Sequence, residues 1–107
     1  MGKKEEMIIN KLRSTANSVV PEGGKVWLYG SRARGDAHKD SDWDLLILLN
    51  QPSITTEDEE KIAYPFVVEG WKNDVAVSPQ LYTFEEWERR SFTPYYKNVE
   101  HDKLLIR

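Results

Sequence analysis

Between two apolar runs of strand character, Val26-Trp27-Leu28-Tyr29 and Leu45-Leu46-Ile47-Leu48-Leu49, the chain carries Gly30-Ser31-Arg32-Ala33-Arg34-Gly35 and then Asp40-Ser41-Asp42-Trp43-Asp44. Two strands joined through a glycine-bounded turn, the second opening on acid, leave few architectures free. The turn must lie at a sheet end, and the acids must open at the same end.

The flanking segments supply the rest of the fold. Ile8, Leu12, Ala16 and Val19 recur at helical spacing, which predicts an amphipathic helix from Lys3 to Ser18, ending before Pro21 because the residue preceding a proline leaves the helical region. Pro21-Glu22-Gly23-Gly24 reads as a turn. In the first strand Val26 and Leu28 face one side and Trp27 and Tyr29 the other, so both faces are expected to be covered. Beyond the breaker cluster Asn50-Gln51-Pro52-Ser53, Thr55 and Thr56 are cap candidates for a helix from Glu57 towards Glu69, bent or interrupted at Pro65 and ended by Gly70. Asn73 to Ser78 reads as a third strand, with Asp74 and Ala76 on one face and Val75 and Val77 on the other. Thr83-Phe84-Glu85-Glu86 is a capping box opening a short helix to Arg90. Pro94 starts a last helix through Val99, and Leu104-Leu105-Ile106 reads as a short terminal strand or packing segment. The expectation is one domain over residues 1–107, of α/β (α+β) class: a small mixed β-sheet packed by helices.

Composition narrows the chemistry. There is no cysteine, which removes disulfides, thiolate metal sites and thiol nucleophiles, and only His38 and His101 supply imidazole, so any metal is expected on oxygen ligands. A formal net charge of −3 argues against general nucleic-acid binding, although Arg32 and Arg34 form a local basic patch. No apolar run approaches the roughly 20 residues of a membrane span. The stretch Met1-Gly2-Lys3-Lys4-Glu5-Glu6 leads into no apolar leader segment, and Glu6 spoils an acylation pattern, so a cytoplasmic location is the default expectation.

Asp42 and Asp44 stand two apart at the mouth of a strand, so both carboxylates point to one side, roughly 6 to 7 Å apart at the backbone. At an effective dielectric near 20 that proximity costs roughly 2 to 3 kcal/mol, which a divalent cation removes. Mg²⁺ suits such a pair because it keeps waters and shares its other positions with substrate phosphates. Read alone, the acids equally suit a capped turn and a solvated strand mouth. Gly30 and Ser31 close the first strand, and a helical turn over Arg32-Ala33-Arg34 stopped by Gly35 would aim amides and the Ser31 hydroxyl at an anion. That turn lacks the Lys of a P-loop, and by itself it also reads as a plain surface turn.

Gly30-Ser31, ten intervening residues and Asp42-Trp43-Asp44 together resemble the signature of the DNA polymerase β-like nucleotidyltransferase superfamily, and Gly30 through Gly35 with Ser41-Asp42 resembles its minimal (MNT-type) branch. The resemblance is specific over residues 30–49 and weak beyond Ser78. It implies that Gly30 and Ser31 hold nucleotide phosphate and that Asp42, Asp44 and a third acid on a later strand hold two Mg²⁺ ions. Asp74 is the candidate for that third acid, with Glu69 as the fallback. Arg32 and Arg34 are expected to neutralise triphosphate, Arg34 equally suiting an ion pair with an acid of the motif. Trp43 is expected to pack against a helix, His38 to be solvated, and Tyr95, Tyr96 and Lys97 either to meet a base or partner or to form core or interface.

The activity the resemblance implies is metal-dependent transfer of a nucleoside monophosphate, AMP from ATP first of all, to an acceptor hydroxyl with release of pyrophosphate. The alternative is an antitoxin-like or regulatory nucleotide-binding partner of a helical HEPN-type protein, since 107 residues leave little beyond the sheet to recognise an acceptor. A third reading is a domain that binds nucleotide without turning it over.

Overall fold

The computed structural model describes residues 2–107; Met1, the first residue of the amino-terminal stretch read above, lies outside the described residues. Helix α1 spans Lys3–Val19 and buries Ile8, Leu12 and Ala16, the face expected from their spacing. Val20 leaves the helix in extended geometry ahead of Pro21. Strand β1 (Lys25–Tyr29), the single helical turn α2 (Ser31–Arg34) and strand β2 (Trp43–Leu49) are the strand, turn and strand anticipated from the central motif, and the two strands pair as an antiparallel hairpin.

The segment after β2 departs from a plain helix. α3 (Thr56–Asp58) opens on a capping box between Thr55 and Asp58, passes through a π-helical turn (Glu59–Ala63) and continues as α4 (Tyr64–Lys72). Pro65 follows directly on that wider turn in a helical path that does not break, and the change of pitch there absorbs the ring and the missing N–H. Gly70 does not end this helix. A Cβ there would stand 2.7 Å from Val77 Cγ2 and 2.9 Å from the Val75 carbonyl, so glycine is required for close packing of α4 on the next strand.

The third strand also differs from expectation: β3 runs Val77–Thr83, not Asn73–Ser78. Asn73, Asp74 and Val75 are used to stop α4. The Asp74 amide donates to the Trp71 carbonyl at 3.3 Å and the Val75 amide to Gly70 at 3.0 Å, while Asp74 takes the left-handed conformation with φ 57°. This is a Schellman stop, and aspartate is among the side chains that tolerate it. α5 (Phe84–Glu88) opens on the expected Thr83–Glu86 capping box, α6 spans Pro94–Asp102, and β4 is Leu104–Leu105.

The sheet order is β3-β2-β1-β4, with β1 antiparallel to both neighbours and β2 parallel to β3, a mixed four-stranded sheet of α+β type. Pro79 lies within β3, an edge strand, where a residue without an N–H is tolerated. On one face Val26, Leu28, Trp43, Leu45, Ile47, Leu49 and Val77 pack against Ile8 and Leu12 of α1 and Phe66 of α4. On the other, Leu46 and Leu48 meet Trp87 of α5 and Val99 of α6, with Trp27, Tyr29 and Tyr82 packed beside them. Among the described residues no helix is long and apolar enough to cross a membrane.

Candidate functional site

The motif lies at the end of the sheet where β1 leaves and β2 enters. Gly30 adopts φ 75°, ψ −157°, a region essentially closed to other residues, and a Cβ there would fall 2.5 Å from Asp44 Oδ2. The backbone of the turn and the second carboxylate therefore touch, and only glycine allows it. The Gly30 carbonyl accepts from the Ala33 and Arg34 amides, both at 3.0 Å, and the Ser31 carbonyl accepts from Gly35 and Asp36. The amides of Ser31 and Arg32, at the head of the turn, have no carbonyl within it to bond. Gly35, at φ 85°, closes the turn.

Trp43 is fully buried among the α1 and α4 contacts, so Asp42 and Asp44 on either side of it point to the opposite face. Asp42 is exposed and Asp44 half-buried. Burial, followed by the neighbouring Asp42 charge, pushes the Asp44 carboxyl above its ordinary range, and Arg34 pulls it back only in part. The pair is short of positive charge.

Two aromatic residues complete that wall. Tyr29 pairs directly with Asp44 across the hairpin, and its hydroxyl lies 2.9 Å from that of Tyr95 on α6. Burial, their mutual hydrogen bond and the Asp44 charge hold the Tyr29 phenol in its neutral form, and burial with Asp44 nearby raises Tyr95 as well. Tyr95 was named among the candidate base contacts, but Tyr29 was not. Alternation sends it to the Trp27 face, yet only the hairpin register sets it opposite Asp44.

The two arginines separate. Arg32 donates from Nε and Nη2 to the Ser41 carbonyl at 3.2 and 3.0 Å, reaches the Lys39 carbonyl at 3.3 Å, and lies 4.9 Å over the Trp43 ring. It braces the loop into β2 on the buried-tryptophan side. Arg34 stays on the acidic side, bonding Asp36 at 3.2 Å and Asp102 at 2.9 Å, so its ion pairs are with acids outside the central pair. His38 is exposed in the turn, where its Nδ1 accepts from the Asp40 amide. Tyr96 stacks beside Trp87 at 4.9 Å and bonds Glu88, which makes it part of the α5–α6 packing.

Asp74 does not join Asp42 and Asp44. It lines a small cavity of about 160 Å³ with Lys4, Glu5, Arg32, Lys39 and Trp43, on the other face of the sheet. Its place in the helix stop, ahead of β3, is the reason. Glu69 faces α1 and takes hydrogen bonds from Thr15 and Asn73. Among the described residues no three histidines, aspartates or glutamates form a set that could hold a metal ion. The donor set that fits a divalent cation is Asp42 with Asp44, whose excess negative charge and oxygen chemistry suit Mg²⁺ completed by water and phosphate.

The family model of the nucleotidyltransferase domain matches residues 9–106. The chain belongs to the nucleotidyltransferase domain family. Among solved structures, this nucleotidyltransferase domain is similar to a Sulfolobus solfataricus protein provisionally designated a nucleotidyltransferase, with TM-score 0.64, 21% identity, and 98% and 87% of the two chains covered. It is equally similar to a structure described as a toxin-antitoxin with AMP-PNP, with TM-score 0.64, 17% identity, and 92% and 72% covered. At these identities the likeness speaks for the fold. No curated protein matches the chain.

Proposed function

We propose that the domain transfers a nucleoside monophosphate from a nucleoside triphosphate, ATP first of all, to an acceptor hydroxyl. The observation that carries this reading is the contact between Gly30 and Asp44, which sets the amide-rich head of α2 beside the second carboxylate of the motif. Phosphate oxygens at the Ser31 and Arg32 amides and the Ser31 hydroxyl then share a space with Asp42 and Asp44. Arg34, on the same side, offsets triphosphate charge, and half-buried Tyr29 with exposed Tyr95 gives an aromatic wall for the nucleoside.

In the transfer, the acceptor oxygen bonds to the α-phosphorus, the bond from that phosphorus to the bridging oxygen breaks, and pyrophosphate leaves with the electron pair. The acceptor proton passes to water, which reaches the exposed Asp42 side. When bound at Asp42 and Asp44, Mg²⁺ supplies charge neutralisation and Lewis-acid polarisation. The chain contributes position and preorganised donors, as this chemistry demands. Incubation with labelled ATP, Mg²⁺ and a broad acceptor set is expected to give metal-dependent label transfer that Asp42→Asn abolishes. No transfer by the wild type, or equal transfer by the variant, overturns the reading.

A second reading is favoured by the shared fold with the toxin-antitoxin structure and by Phe92, 78% exposed on the loop before α6. Here the domain acts as an antitoxin-like partner of a helical HEPN-type protein, which is also its acceptor. Co-expression with neighbouring reading frames and purification as a complex is the expected result, and a chain recovered alone from every pairing rejects it.

A further inference from the structure

The row of side chains beside Asp42 and Asp44 on the next strand can be read from burial and register together. Val75 packs against the α1 and α4 core and Val77 is buried in it, so Ala76 between them points to the opposite face, where it is exposed. That is the face of Asp42 and Asp44, because Trp43 occupies the same core as the two valines. Trp43 is registered on Val77 and donates its amide to the Ala76 carbonyl at 2.8 Å, which places Ala76 alongside Asp42; Ser78 pairs with Asp44. Adjacent strands run about 4.8 Å apart, so a side chain at position 76 reaches the space in front of the acidic pair.

A methyl group and a hydroxyl therefore stand where a further carboxylate would complete a two-ion site. Of the other acids, Asp36 and Asp102 are bonded to Arg34, and Asp102 also to His101, while Asp40 is exposed in the loop ahead of β2; among the described residues no third acid joins Asp42 and Asp44 in a set that could hold a metal ion. A two-metal centre needs carboxylates to hold ions about 3.5 to 4 Å apart, whereas a single Mg²⁺ needs only one or two beside phosphates and waters. We infer that this site takes its nucleotide with one divalent cation, and that Ala76 is the residue that sets the number. The inference rests on the reading of Asp42 and Asp44 as a metal and phosphate site, and it differs from the expectation of two ions.

Equilibrium dialysis with Mn²⁺ and a non-hydrolysable ATP analogue, counting both ligands retained per chain, tests it. The wild type is expected to hold one Mn²⁺ per bound nucleotide, Ala76→Asp two, and Ala76→Asn one. Two ions in the wild type, or one in Ala76→Asp and in Ala76→Glu with nucleotide still bound, overturns the inference and leaves nucleotide binding standing. A wild type that retains no nucleotide at all overturns the proposed function, and the inference with it.

Discussion

Gly30 shows how much of the site rests on one position. Any other residue there must hold a strained backbone and displace Asp44 Oδ2 from 2.5 Å, so Gly30→Ala is expected to cost about 2 to 3 kcal/mol in urea unfolding and to remove nucleotide binding. Asp44 works in the opposite sense. Burial beside Asp42 disfavours its charge, so the fold holds the proton more tightly than the unfolded chain does, and stability falls as pH rises through the Asp44 titration. Asp44→Asn is therefore expected to melt a few degrees higher than wild type at neutral pH without metal, on the order of 1 kcal/mol for relief of a partly screened like-charge pair. The same variant is expected to lose the rise in melting temperature that Mg²⁺ with ATP gives the wild type. A variant that melts lower than wild type in metal-free buffer contradicts this account.

At the scale of elements, the strands and caps that rest on local chemistry were legible. The hairpin strands, α1 and its Pro21 stop, and the Thr83 box follow from alternation, helical spacing and side-chain capping, and the structure has each. The start of β3 was not legible, because Asn73-Asp74-Val75 alternates like a strand while its amides are claimed by the last carbonyls of α4. An aspartate at φ 57° is spelled no differently from one in a strand. Of the candidate site, the placing of the Gly30 turn against Asp44 at one end of the sheet follows from the order of the motif, whereas Asp74 and Arg32 turn to the other face. Asp74→Gly is expected to stabilise the chain by about 1 kcal/mol, since glycine takes the left-handed stop without steric cost, and to leave nucleotide affinity unchanged. Reduced affinity in that variant, measured by titration calorimetry, would return Asp74 to the site.

Across the whole molecule, one ion pair joins the motif to the far end of the chain. Arg34 reaches Asp102 at the end of α6, and Tyr95 at its start meets Tyr29, so α6 is tied to the site at both ends. The hydrogen bond from His101, and then Arg34, holds the Asp102 carboxyl below its ordinary range. A carboxylate so lowered contributes stability that is full above its unfolded value and is lost as pH falls through the lower folded one. Asp102→Asn is accordingly expected to flatten the acid limb of the stability curve below the ordinary aspartate range, measured by melting at a series of pH values. An unchanged limb assigns that loss to other carboxylates.

Pro79 carries a consequence for how the molecule behaves in company. The outer rim of β3 is a row of peptide groups facing water, the kind of surface on which a second chain can lay a strand and a third can follow. With an imino acid in the middle of that row, a docking strand meets a gap in its hydrogen-bond ladder and a ring in its path, so growth from this rim stops before it starts.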